Sequence, residues 1–323
     1  MSFKEIKGQD SAVNILKTHI QNSRLAQSYI FSGPQGVGKS LIAKTLAKAL
    51  NCQQDGLDSC DTCSSCLRIE KNTHPDVHML DFQDGEIKIE HIRQLQREIS
   101  LRPYEAKHKV FIIKNAHNLN AASSNAFLKT LEEASGKGLI ILITEKPALL
   151  LDTIASRCRV LRFFPLAREA LEKILLRDYA LPEDSAHFLA YFCEGRTGQA
   201  LRLKDSEFMR EKNRLIDEFS LLKRHELEAR FGQRDRDSLR SSLNILSAWF
   251  RDIYLLKIGL GISEIINLDR KEDLIKIMPQ FSFPDLDNLI NFISSALWCL
   301  RHNVNVRLLE ANLKEEIWKA RLQ

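Results

Sequence analysis

The stretch from Tyr29 to Leu50, YIFSGPQGVGKSLIAKTLAKAL, constrains the fold more than any other part of the chain. Tyr29, Ile30 and Phe31 favour a strand, and Leu41 to Leu50 repeats Leu, Ile and Ala at helical spacing without Gly or Pro. Between them, Gly33-Pro34-Gln35-Gly36-Val37-Gly38-Lys39-Ser40 satisfies G-x-x-x-x-G-K-[ST] at every position. Three glycines let the backbone turn tightly enough for successive N–H groups to face phosphate oxygens, and the helix that follows adds the positive end of its dipole. Gly33, Gly36, Val37, Gly38, Lys39, Ser40 and Leu41 are therefore the candidate nucleotide-binding residues, with Lys39 reaching the β- and γ-phosphates and Ser40 holding Mg2+. A Gly-rich strand-to-helix turn without a ligand is the plain alternative. Binding a nucleotide does not by itself imply hydrolysing it.

The flanking sequence extends this strand-helix frame. Apolar residues Val13, Ile15, Leu16 and Ile20 after Asp10-Ser11 predict a short helix before the first strand. Asp76 to Phe82 alternates like a strand, Ile89 to Leu101 and Ala121 to Ala134 read as helices, and Lys109 to Ile113, Gly138 to Thr144 and Val160 to Phe163 read as strands. Strands separated by helices predict an α/β module with a parallel sheet covered on both faces, over residues 1–165. Beyond Phe164-Pro165-Leu166 the strand-like runs stop. Residues 166–205 have room for three short helices, and residues 206–323, with long apolar-periodic segments at Leu215 to Phe231, Leu239 to Ile258 and Leu286 to Cys299, predict an all-α domain.

Of seven cysteines, Cys52, Cys60, Cys63 and Cys66 fall close together, whereas Cys158, Cys193 and Cys299 stand alone. No apolar run is long enough for a membrane span and MSFKEIKGQD has no signal-peptide core, so a cytosolic protein is expected. In that setting C-x7-C-x2-C-x2-C predicts a structural four-thiolate Zn2+ site. Unliganded thiols and an iron–sulfur cluster are the alternatives. His74, His78, His91 and His108 lie near the insert, but four thiolates already complete a zinc shell. Trp249, Trp298 and Trp318 sit at helical spacing among leucines and are expected in the helical core. The net charge of +5 permits an anionic partner such as DNA without demanding one.

An NTPase needs a carboxylate at the end of its second core strand to hold Mg2+, with a neighbouring acid to polarise the attacking water. After Val110 to Ile113 come Lys114 and Asn115, a repelling cation and an amide that cannot act as a base. Asp152, Glu132 and Glu133 are the remaining substitutes for those acids.

Together, the P-loop after Ser28 to Phe31, the four-cysteine insert, Asn125-Ala126-Phe127-Leu128-Lys129-Thr130-Leu131-Glu132-Glu133 and Ser156-Arg157-Cys158 resemble the bacterial DNA polymerase III clamp loader, an AAA+ family, over essentially the whole chain. The resemblance implies a helical lid at 166–205 and a helical collar at 206–323. It implies that Arg157 acts as a finger on the γ-phosphate held by a neighbouring subunit, a role suited to a planar, permanently charged guanidinium. It also implies gamma/tau and delta subunits, the sliding clamp and primer–template DNA as partners, with no membrane. Motor subunits of that family carry an Asp-Glu pair where Lys114 and Asn115 stand. They also carry a lid arginine in a motif like G-S-x-R-x-A-L, where Gly195-Arg196-Thr197-Gly198-Gln199-Ala200-Leu201 has Gly198. Both departures, with Ser156-Arg157-Cys158 retained, resemble a non-motor subunit of that family; the intact P-loop departs from such subunits in the other direction and implies ATP or ADP held as a structural ligand. A motor subunit of gamma/tau type with relocated acids is the alternative, and a P-loop nucleotide kinase or recombination ATPase is a third reading that nothing beyond the phosphate loop favours.

Overall fold

A computed structural model describes the chain except residues 55, 83–84, 134–137, 205, 221–234, 262–263, 301, 303 and 321–323. The chain divides into two compact units, residues 1–167 with 195–199, and residues 168–194 with 200–323. The segment expected to form a separate lid is thus split between them.

The first unit is built on five parallel strands, β1 (Ser28–Ser32), β2 (Val77–Asp81), β3 (Lys109–Lys114), β4 (Gly138–Thr144) and β5 (Arg159–Arg162), in the order β2-β3-β4-β1-β5. Alternation along the strands decides which helix covers which face, because successive side chains point to opposite sides of a sheet. Tyr29, Phe31, Val110, Ile112, Ile141 and Ile143 share one core with α1 (Asp10–Gln21), α2 (Lys39–Asn51) and Ile69 of α3 (Ser64–Glu70). Ile30, Phe111, Ile113, Ile140 and Leu142 share the opposite core with α4 (Ile89–Ser100), α5 (Ala121–Glu133) and α6 (Asp152–Ala155). Residues buried on both faces explain why β1, β3 and β4 read as unbroken apolar runs. The fold of this unit is the expected parallel α/β sheet with helices on both sides.

The second unit is helical throughout its described residues: α7 (Arg168–Tyr179), α8 (Glu183–Phe192), α9 (Thr197–Leu203, which begins in the first unit), α10 (Ser206–Ser220), α11 (Arg236–Ile258), α12 (Lys271–Ile277), α13 (Phe283–Cys299) and α14 (Val306–Ala320). Its core joins Leu215, Leu243, Trp249, Phe250, Leu289, Ile293 and Ile317. The helix expected from Leu215 to Phe231 lies partly outside the described residues, ending for description at Ser220. Trp249 packs in this core as expected, but Trp298 does not: it is 62% exposed on α13, 4.5 Å from the His302 ring. No helix of the described residues is long and apolar enough to cross a membrane.

Candidate nucleotide site

The P-loop leaves the C-terminal end of β1 and stands between the ends of β4 and β5, the crevice where open parallel sheets bind ligands. Its glycines are required by shape. Gly33 (φ +153°) packs against β5's continuation so closely that a Cβ would lie 2.2 Å from the Phe163 carbonyl oxygen. Gly38 (φ +101°) caps α2 in the left-handed region and offers no side-chain cap. The first N–H groups of α2 therefore lack a capping side chain, and no acidic residue stands in its first turn, so the positive end of the helix is open to an anion.

Lys39 is 7% exposed, and its ammonium donates to the carbonyls of Gly33 (2.5 Å) and Pro34 (2.6 Å). Burial pulls its pKa down to about 8, against the opposing field of Glu145. A cation buried next to two neutral carbonyls is the state that a phosphate group relieves, so the residues present fit a nucleotide. Val37 is buried in the core beneath the loop, Leu41 packs against it, and Ser40 lies in the first turn of α2.

Gly198 also touches this loop. Its N–H donates to the Gly36 carbonyl at 2.7 Å, and a Cβ on residue 198 would lie 2.8 Å from that oxygen. Gly195 anchors the same segment: its carbonyl accepts from Leu166 N–H, and a Cβ there would meet the Leu166 carbonyl oxygen at 1.9 Å. The glycine at position 198 thus gives its backbone, not a side chain, to the phosphate loop.

Two strands away on the same sheet edge, Lys114 ends β3 and Asn115 follows it, and both have a partner on β2. Asp81 lies opposite Lys114 in the β2–β3 register. Its carboxylate accepts from Lys114 Nζ at 3.1 Å and from Asn115 Nδ2 at 3.0 Å. Asn115 adopts φ +54°, a conformation that Asn tolerates better than most residues, and this turns its amide toward β2. His117 approaches Thr144 Oγ1 at 3.2 Å, and burial pushes its pKa down, so the ring is neutral at neutral pH. Thr144 and Glu145, at the end of β4, were not singled out from sequence. Only the parallel register places them beside β1, and neither belongs to a motif.

Of the acids named as substitutes, Glu132 is engaged by Arg157, whose Nε (2.9 Å) and Nη2 (2.7 Å) both contact Glu132 Oε1. Asp152 is exposed at the start of α6, and the Glu133 side chain lies outside the described residues. Next to Arg157, Cys158 packs against the core of this sheet face, and burial raises its thiol to about 12, which disfavours the thiolate.

The four sulfurs of Cys52, Cys60, Cys63 and Cys66 lie within 4.8 Å of one another, and all seven cysteines of the chain are free. Tetrahedral zinc with bonds near 2.3 Å needs sulfurs about 3.8 Å apart, so the set fits with a small contraction. Cys63 Sγ accepts from Cys66 N–H and Cys60 Sγ from Cys63 N–H, which orients two of the sulfurs inward. Hydrogen bonds from Thr62 lower Cys60 to about 6, whereas burial pushes Cys66 far up. The insert is braced to the phosphate-loop helix by Lys48, whose ammonium donates to Asp61 at 2.6 Å and Glu70 at 2.8 Å. Of the four histidines near the insert, none joins this cluster.

A P-loop sequence after β1 of a five-stranded parallel sheet in this order, with an all-α unit beside it in the chain, is the architecture of the AAA+ class. The family described as "DNA polymerase III, delta subunit" matches residues 8–167. DNA polymerase III subunit delta' of Bacillus subtilis is 31% identical, with 97% of each chain covered. DNA polymerase III subunit tau of Escherichia coli is 35% identical over 63% of this chain but only 32% of its own length. A solved DNA polymerase III gamma subunit-related protein from Thermotoga maritima aligns at TM-score 0.47 and 16% identity, over 95% of this chain and 99% of that one. The chain belongs to the family of DNA polymerase III delta' subunits.

Proposed function

We propose that this chain serves in the DNA polymerase III clamp loader as the subunit that keeps a nucleotide without hydrolysing it and lends Arg157 to the ATP of an adjacent gamma/tau-type subunit. The observation that carries this is the contrast at one sheet edge: an open phosphate cradle at Lys39, and Lys114 and Asn115 committed to Asp81 where a motor subunit needs acids. Gly33, Gly36, Gly38 and the first turn of α2 would bind ATP or ADP, Lys39 would neutralise its terminal phosphates, and Ser40 would hold Mg2+ if the nucleotide brings it. When bound, the nucleotide supplies charge that fills the cradle. Lys114 and Asn115 would offer water no base, and the one neighbouring carboxylate described there, Asp81, is engaged by both of them.

Cys52, Cys60, Cys63 and Cys66 would hold zinc, which leaves no open coordination position and so serves structure. The delta subunit, sliding clamp and primer–template DNA are the further partners of this reading. Residues 206–323 would join the collar, with 166–205 as the lid.

Reconstitution with gamma/tau-type and delta subunits tests the proposal. The expected result is a stable hetero-oligomer whose ATP turnover falls when Arg157→Ala is introduced, while the isolated chain binds ATP and does not turn it over. Turnover by the isolated chain that Lys39→Ala abolishes would establish the motor-subunit alternative.

A further inference from the structure

An arginine that must reach a phosphate on another subunit has a problem of order, because its long side chain samples many rotamers and each must be given up at contact. In this chain the side chain of Arg157 is already held. It projects beyond α6 with 40% of its side chain exposed, yet Nε donates to Glu132 Oε1, Nη2 lies 2.7 Å from the same oxygen as an ion pair, and Nη1 donates to the Thr153 carbonyl at 3.1 Å. Glu132 lies in the last turn of α5, and Thr153 lies in α6, so two separate helices fix the guanidinium. Each of the two terminal nitrogens keeps one further N–H with no partner among the described residues, enough for two bonds to phosphate oxygens.

We infer that Glu132 is a positioning residue for Arg157, holding the guanidinium in a presented orientation while leaving its outer N–H groups for a neighbour's phosphate. The inference rests on the finger reading above. The pairing suits such a role because it is exposed on both sides: a pair in water holds orientation without the strength that would keep the arginine from shifting toward a phosphate. The opposite role, a carboxylate that sequesters the arginine, predicts the opposite sign on removal.

The test has two arms. In the isolated chain, the Arg157 Nε–H resonance should be ordered and slow to exchange, should lose that protection in Glu132→Ala, and should keep part of it in Glu132→Gln, which retains the acceptor oxygen. In the complex reconstituted with gamma/tau-type and delta subunits, Glu132→Ala should lower kcat about fivefold with KM and assembly unchanged, and Glu132→Gln should recover part of the loss. Combined with Arg157→Ala, Glu132→Ala should add nothing further. A rise in turnover, no change, or an additive loss in the double variant overturns the positioning role. If Arg157→Ala leaves turnover intact while the resonance behaves as expected, the finger reading fails and the inference with it, whereas the local pairing stands.

Discussion

The ends of β1 and β3 lie on the same edge of one sheet, yet they treat charge in opposite ways. At β1 the chain places a lysine where burial disfavours its charge, hydrogen-bonds it to neutral carbonyls, and opposes the burial only with the field of Glu145, which does not accept a hydrogen bond from it. At β3 the chain supplies its own anion, Asp81, to a lysine and an asparagine that are half-exposed and satisfied. The first arrangement is costly without a ligand and the second is not. Nucleotide binding and nucleotide hydrolysis are therefore separable in this fold, because the parts that serve them sit on different strands.

The largest expected effect breaks the first half of that contrast. Lys39→Ala removes the only buried cation beside the phosphate loop among the described residues, and nucleotide affinity should fall about 100-fold, or about 2.7 kcal/mol. Titration calorimetry with ATP and ADP measures it, and affinity within a fewfold of the parent would mean that the loop backbone alone holds the phosphates.

A pH series tests the same lysine without a mutation. The Lys39 pKa is depressed to about 8, so the empty site is charged below that pH and neutral above it. A phosphate favours the charged form and raises the pKa in the complex, so binding above pH 8 must take up a proton. Affinity should be steady from pH 7.5 to about 8 and then decline, by up to about tenfold per pH unit. A flat profile to pH 9.5 would show that Lys39 keeps its charge in the empty loop.

Gly198→Ala addresses the backbone that closes over the loop. The added Cβ would stand 2.8 Å from the Gly36 oxygen, an atom of backbone that cannot swing aside. A loss of about 1–2 kcal/mol in urea unfolding, with weaker nucleotide binding, is the expected outcome. If binding is untouched, the Gly198–Gly36 contact is incidental to the cradle.

How far the sequence revealed this contrast depends on whether the partner was local. The cradle was legible because its glycines, lysine and helix are contiguous, and Lys114 and Asn115 were legible as missing acids. Their engagement was not, because Asp81 lies on another strand and meets Lys114 only through the parallel register. The same holds for Glu145 beside Lys39 and for Glu132 beside Arg157. Among elements, β1, β3 and β4 declared themselves by burial on both faces, whereas α3, inside the cysteine insert, is too short to show a period. α12 and α14 lack the long apolar runs of α11 and α13, so within the expected all-α region their bounds were not delimited. Trp298 was misassigned because helical spacing among leucines says that a helix exists, not that every large residue on it faces inward.

The smallest effect sharpens the second half of the contrast. Asp81→Asn removes the anion at the end of β3 while preserving shape and most hydrogen bonding, and it leaves Lys114 without its charge partner. Because the side chains of Asp81 and Lys114 are 33% and 26% exposed, water takes over much of the solvation, and the cost should stay below about 1 kcal/mol in urea unfolding. Nucleotide affinity should not move, since β4 separates β3 from β1 in the sheet. The freed Lys114 still repels Mg2+, so the variant should show no more ATP turnover than its parent. A gain in turnover would mean that Asp81 was restraining a catalytic group, and the end of β3 would then be a silenced hydrolytic centre instead of an edge with no hydrolytic role.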